Sequence, residues 1–303
     1  MSRISPHVVP KAANDTAPAT TEFRAPIRHG ELRLALRATA PAPSRPGASL
    51  QAALLLAEAE PLLRWLEDWL DEPLQPAPLA LAAAMSAAAP ASACVRLRWE
   101  TDVVAAVVEL PWSLLLAGRA PPRDDRAGGV EIGWETLPLT LELAREALPD
   151  AEWAELRQPG AGLLLRASFA GDGMWHCTLR PAGDRAARDP AWPATWACSR
   201  GRLRWGPGHP AEPPLDAPGT IVVRLAQALW VTPPQLMGWS GEAACDCDGD
   251  QPLALERAPE GREALRGRLV PLGLRLPGGA ASASTGALAH AGWLALVEPP
   301  HDP

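Results

Sequence analysis

Between Glu242 and Leu253 the chain reads EAACDCDGDQPL, two thiols one residue apart among three aspartates. Residues of these types can ligate calcium or zinc, or cycle as a dithiol. An EF-hand calcium loop needs oxygens at positions 1, 3 and 5, glycine at 6 and a bidentate glutamate at 12. Counting from Asp246 supplies Asp248 and Asp250, then finds Gln251 in place of the glycine and Arg257 in place of the glutamate. Zinc needs four ligands, usually as two close pairs. Apart from the adjacent His176-Cys177, the other candidates Cys94, Cys198 and His209 stand singly. A redox pair is ordinarily CxxC at a helix N-terminus, where the dipole lowers the first thiol's pKa. Here the spacing is CxC, and the flanking Asp246 and Asp248 would raise it. A β-strand makes fewer demands: Ala243, Cys245 and Cys247 take one face, and Ala244, Asp246 and Asp248 the other. Gly249-Asp250 then begins a turn into PLALE, where Leu253 and Leu255 share a face.

Other catalytic templates fit no better. GWSGE places its second glycine one residue too early for a GxSxG nucleophile elbow. PGAGLLL lacks a third glycine, and a chain whose only lysine is Lys11 has no P-loop. The acidic pairs Glu67-Asp68, Asp71-Glu72 and Asp124-Asp125 read as solvated charges. Trp65, Trp69, Trp99 and Trp112 fall at periodic positions that read as core. No set of residues converges on a reaction, so the expectation is a protein that is not an enzyme and carries no metal or cofactor. Two alternatives stand beside it: an enzyme site built around His176, Cys177 and Asp172, and a metal-binding regulator using Cys245 and Cys247.

The elements that must position these residues are read from pattern. The chain has 303 residues, 47% of them hydrophobic, enough for two ordinary domains. Its net charge of -7 leaves no basic field for a nucleic acid or an anionic membrane. The N-terminus lacks a signal-peptide apolar region, and runs such as LALAAAMSAAAPASA are broken by Pro and Ser before they could span a bilayer. A soluble, cytoplasmic chain without direct membrane insertion is expected. Residues 1–24 lack periodicity and read as a disordered leader. GELRLALRA and CVRLRWE alternate as half-buried strands, the second forming a hairpin with VVAAVVELPW. EAEPLLRWLEDWLD places Leu62, Leu63, Leu66, Trp69 and Leu70 on one helical face, with Pro61 in the first turn and Pro73 after the last. Further strands are expected in VEIGWETLPLTLELA, LLLRASFA and MWHCTLRPA. The fold class is α+β: an antiparallel domain over 25–181, a Pro/Gly-rich linker region over 182–218 with GRLRW as one short strand, and a β-rich module over 219–298.

That last segment resembles the surface-presentation-of-antigens (SPOA) module shared by flagellar switch proteins and the type III secretion cytoplasmic-ring proteins of the SctQ/HrcQ family. Val222, Val223 and Leu225 match its first strand, Leu236 its turn, and Gly241-Glu242 its Gly-acidic pair. EAACDCD and PLALE match its middle strands, and Gly267-Arg268-Leu269-Val270 with Gly273-Leu274 its closing signature, Arg268 replacing the usual glutamate. PLLRWLEDWLDEPL and VVELPWSLLL are similar to the N-terminal region of plant-pathogen members. One module is visible, as in the split form whose second module is a separate polypeptide. The resemblance implies a small β-rich scaffold that forms intertwined dimers and has no known catalytic residue. It implies a cytoplasmic position, peripheral to the inner-membrane base of a secretion apparatus that supports virulence. Its expected partners are a short SPOA subunit, a stalk or ATPase-regulator protein and an inner-membrane-ring adaptor. The expected partner-interface residues are Val222, Leu225, Leu236, Leu253, Leu255, Leu265, Leu269, Val270, Leu272 and Leu274.

Overall fold

The computed structural model describes residues 20–39, 47–79, 94–122, 125–158, 160–165, 169–170, 174–182, 190–210, 219–257, 264–272 and 292–297. In the first part, β1 (Thr20–Ile27), β2 (Gly30–Ala38), α1 (Ala48–Glu58), α2 (Glu60–Leu70), β3 (Ala77–Pro78), β4 (Cys94–Glu100), β5 (Val104–Pro111), α3 (Trp112–Leu116), β6 (Arg126–Ala127), β7 (Val130–Glu131) and β8 (Gly133–Trp134) follow in order. They build a six-stranded antiparallel sheet ordered β3-β1-β2-β5-β4-β8, with β6 and β7 as a separate small hairpin. The expected β4–β5 hairpin forms, Trp99 opposite Ala106. Its second strand is the better covered because β5 lies between β2 and β4.

The amphipathic helix is α2. Leu62, Trp65, Leu66, Trp69 and Leu70 are buried, Pro61 sits in the first turn, and Asp71 ends the helix in the left-handed region at φ 56°. The sequence reading did not foresee α1, whose apolar residues run round the whole helix, so no amphipathic phase marks it. Leu55 is buried while Leu50 and Leu54 stand exposed.

The second part contains β9 (Leu137–Ala147), α4 (Asp150–Leu156), β10 (Gly162–Leu165), β11 (Phe169–Ala170), β12 (Met174–Pro181), β13 (Trp192–Ala197), β14 (Arg202–Trp205), β15 (Thr220–Leu225), β16 (Leu229–Val231), α5 (Pro233–Leu236), β17 (Ala244–Asp246), β18 (Leu253–Arg257), β19 (Ala264–Leu272) and β20 (Gly292–Val297). Ten of these strands form one continuous path, β10-β20-β19-β18-β15-β9-β12-β13-β14-β17. β9 is its hub: one side pairs with β12, the other with β15 and β16. All these pairings are antiparallel, and the protein belongs to the α+β class.

Three boundaries read from the sequence need correction. Thr20–Arg24 lies in β1 and not in a leader, because Phe23, Ala25 and Ile27 alternate inward against β2; residues 1–19 lie outside the described residues. Pro26 disguised the strand, yet β3 pairs only with Phe23 and Arg24, so Pro26 stands where that side of β1 is an edge. The 182–218 region is not simply a linker, since β13 and β14 bury Trp192, Trp196, Leu203 and Trp205. Pro and Gly hid that alternation. Nor is 219–298 a separate module: β15 pairs with β9, β17 with β14 and β20 with β10. The division between the two sheets falls near Glu135-Thr136, and one hydrophobic core runs through both. Trp112 of α3 meets Trp192 of β13 at 5.4 Å between ring centroids, which joins the halves by edge-to-face packing.

Candidate functional site

The CDCD segment is held by strands upstream of it. β17 runs antiparallel to β14, with Arg202 opposite Asp246, Leu203 opposite Cys245 and Arg204 opposite Ala244. Successive side chains take opposite faces. Cys245 is half-buried and packs on the core, Cys247 is 1% exposed, and Asp246 and Asp248 face water. The alternation expected from the sequence is present from Cys245 to Asp248, past the strand's end, but Ala244, expected on the outer face, is buried and Ala243 only half-buried. The turn at Gly249-Asp250 also forms, with the Asp248 carboxylate accepting from the Asp250 N–H at 3.2 Å. A Cβ on Gly249 would lie 2.7 Å from the Cys198 carbonyl oxygen, so this close approach requires glycine. The strand partner, however, is GRLRW and not PLALE.

Three side chains brace the segment from within the chain. The Trp196 indole donates to the Cys247 carbonyl at 2.9 Å, and the Trp205 indole donates to the Leu236 carbonyl at 2.8 Å. The Gln235 amide donates to the Ala244 carbonyl at 3.0 Å. Gln235 is placed by the short helix α5, whose Thr232 cap accepts from the Gln235 N–H and whose first residue is Pro233. Each brace satisfies a backbone carbonyl near β17 that would be costly to bury unpaired. Just past α5, Trp239 packs edge-on against Trp69 of α2 at 5.9 Å and lies 6.3 Å from Trp134 of β8. The segment is thereby fastened to the N-terminal sheet as well.

The electrostatics speak for structure rather than ligation. Arg202 donates to Asp246 at 3.1 Å and to Glu242 at 3.2 Å, and Arg204 pairs with Glu242 at 2.8 Å. The hydrogen bond that Arg202 donates to Asp246, then that to Glu242, raises the Arg202 pKa. Asp246 is thus engaged by Arg202, and Asp248 by its own turn. Burial pushes the Cys247 thiol up to about 12, with Cys245 and Asp248 adding to the effect. Burial also raises Cys245, reinforced by Asp246, and Cys177, reinforced by Cys247. A thiol held neutral is a poor nucleophile and a poor ligand. Among the described residues no three His, Cys, Asp or Glu side chains are grouped to hold a metal ion.

His176 and Cys177 are neighbours in sequence but diverge in space. His176 is exposed on β12 and lines a shallow cleft of ≈ 230 Å³ with Pro193, Thr195 and Arg204. Cys177 points into the core, where its Sγ lies 3.5 Å from the Ala194 carbonyl oxygen. Asp172 lies outside the described residues.

Of the ten expected interface positions, Leu225, Leu236, Leu253 and Leu255 are at most 1% exposed, spent on the chain's own core. β9, β15, β18 and β19 are successive neighbours in the sheet, and the inward Leu residues of the last three join the common core. Leu265 and Leu269 are half-buried against that core, and Val222 and Val270 are also half-exposed. Leu272 ends β19, and Leu274 lies outside the described residues. What the sequence reading missed is the bracing set of Trp196, Arg202, Arg204 and Trp205. GRLRW signalled a strand by its alternation, but nothing in it named β17 as the neighbour.

No family model, no curated protein and no solved structure matches the chain. No described helix is long and apolar enough to cross a membrane. What the fold defines is an α+β protein of two antiparallel sheets on a common core.

Proposed function

We propose that the chain is a non-catalytic scaffold subunit of a type III secretion cytoplasmic ring, or sorting platform, assembling with a short SPOA partner. The observation that carries this reading is the order of elements over 219–272. The apolar strand β15 leads through the Leu236 turn to β18 and β19, and Gly267-Arg268-Leu269-Val270, the stretch that resembles the closing signature, lies within β19. The buried, neutral Cys247 thiol and the Asp246 carboxylate paired to Arg202 support a structural part for CDCD. In this reading Leu225, Leu236, Leu253 and Leu255 hold the fold, while half-exposed residues remain for a partner on both faces of the sheet, Val222 and Val270 on one and Leu265 and Leu269 on the other. The stalk or ATPase regulator and the inner-membrane-ring adaptor contact the N-terminal sheet, at the cytoplasmic side of the inner membrane.

The test is co-expression of the full chain with candidate short SPOA polypeptides, followed by light scattering of the purified material. A stable hetero-oligomer is expected, and monomers alone would count against the reading. Leu269→Asp should abolish that complex, because a carboxylate forced into an apolar contact without a partner is costly.

A further inference from the structure

The ten-strand path ends at β10, and no described strand pairs with its outer side. Its inner side pairs with β20, Gly162 opposite Leu296 and Leu164 opposite Leu294. The Val297 N–H donates to the Ala161 carbonyl at 2.8 Å. Antiparallel residues alternate between bonded and non-bonded pairs. Leu163 and Leu165, like the Ala161 carbonyl, therefore direct their peptide groups toward β20, while Gly162 and Leu164 direct theirs outward. An N–H and C=O pair on each of two alternate residues, with no strand beside them among the described residues, is a template for one more strand.

The surroundings specify what kind of strand. Leu163 and Leu165 are buried, but Leu164 is 52% exposed, one of few large apolar side chains so placed. Beside β10 lies a cleft of ≈ 700 Å³, floored by Leu148, Leu156 and Leu163. Its walls carry Glu146 at the end of β9 and Glu152 and Glu155 from one face of α4. None of the described residues lining it is basic. The opposite end of the sheet is built differently: β17 shows solvent the carboxylate of Asp246, beside Glu242, Arg202 and Arg204. Charge of this kind discourages strand addition.

We infer that β10 is a docking edge for an extended, basic segment of a partner protein. The segment adds as a further strand on Gly162 and Leu164, lays an apolar side chain against Leu164 and directs Arg or Lys toward Glu152 and Glu155. Backbone hydrogen bonds provide the affinity and the glutamates the selectivity. This surface lies outside the SPOA-like segment's own contact strip, and its test does not depend on the secretion reading.

The probe is a short labelled peptide alternating valine and arginine, compared with one carrying glutamate for arginine and one with a central proline. Anisotropy and hydrogen exchange on the full chain provide the readout. The basic peptide should bind and slow exchange at the Gly162 and Leu164 amides. Both control peptides should bind at least about tenfold more weakly, as should the basic peptide to Leu164→Lys or to Glu152→Lys combined with Glu155→Lys. Circular dichroism of each variant should match the parent. Equal binding of all three peptides, or protection at β17 in place of β10, overturns the proposal. So does self-association that Leu164→Lys abolishes, since that assigns the edge to a second copy.

Discussion

At one end of the large sheet β17 meets water with Asp246, Arg202 and Glu242; at the other, β10 meets it with Leu164. β17 is also braced behind by the Trp196 and Trp205 indoles and by Gln235, whereas β10 has an acidic cleft at its side. Both are short edge strands, so backbone geometry alone would make them equally prone to recruit another strand. Side-chain chemistry separates them. The charged edge is covered by ion pairs within the chain, and among the described residues the apolar edge has no strand beside it.

The comparison breaks most visibly if the β17 end is not anchored by its buried indole. Trp196→Ala should destabilise the fold by about 3–5 kcal/mol in urea unfolding, the range for removing a large buried aromatic. Trp196→Phe keeps most of the packing but leaves the Cys247 carbonyl without its donor, and should cost about 1–3 kcal/mol. Near-parental midpoints for both would place the anchor elsewhere.

Leu164→Lys sharpens the opposite end. Stability should change by no more than about 0.5 kcal/mol, as for an ordinary surface site, while binding of the valine-arginine peptide is lost. The pairing of small stability change with large binding change is what a docking edge predicts. A core position would show the reverse.

A smaller effect concerns pH. The Cys247 thiol rises from 9.0 to about 12 on folding, mainly by burial. Between those values the unfolded chain releases the proton while the folded chain keeps it, so the folded state binds more protons. Its contribution is complete below the unfolded pKa and is lost as pH rises through about 12. Stability should therefore decline over this alkaline window, less so in Cys247→Ala measured against its own neutral value. Cys247 should react slowly with a thiol reagent at pH 8 in the native chain and fast in denaturant; rapid native labelling of Cys247, read by peptide mapping, would contradict its burial.

The smallest effect is expected for Arg202→Ala. Its ion pairs with Asp246 and Glu242 are exposed to solvent and screened by salt. The unfolding midpoint should stay near the parental value. A large loss would mean that the β17 edge depends on its ion pairs and not on the indoles behind it.

Much of the local structure was legible in the sequence. The α2 face, the β4–β5 hairpin and the inward Cys245 and Cys247 each follow from a period set by the backbone itself. α1 was illegible because its uniform apolarity carries no phase. β1 and β13 were hidden by proline inside alternating runs, tolerated where a strand side is open or pairing has not begun. The candidate site was half legible: its alternation was visible, but Arg202, Arg204, Trp196 and Trp205 lie about forty to fifty residues upstream. Any strand offers the same N–H and C=O groups, so pattern does not identify its neighbour.

By itself, then, the sequence determined the α+β class, the faces of its strands and amphipathic helix, and the departure of CDCD from a calcium loop. Only the tertiary structure decided that β15 and β17 to β20 share one sheet with β9, β10 and β12 to β14, that four of the expected interface leucines belong to the core, and that β10 ends the path of described strands. The physical reason is range. Side-chain alternation is a property of each segment, whereas strand order is chosen when distant segments close a common core, and that choice leaves particular backbone groups without a neighbour.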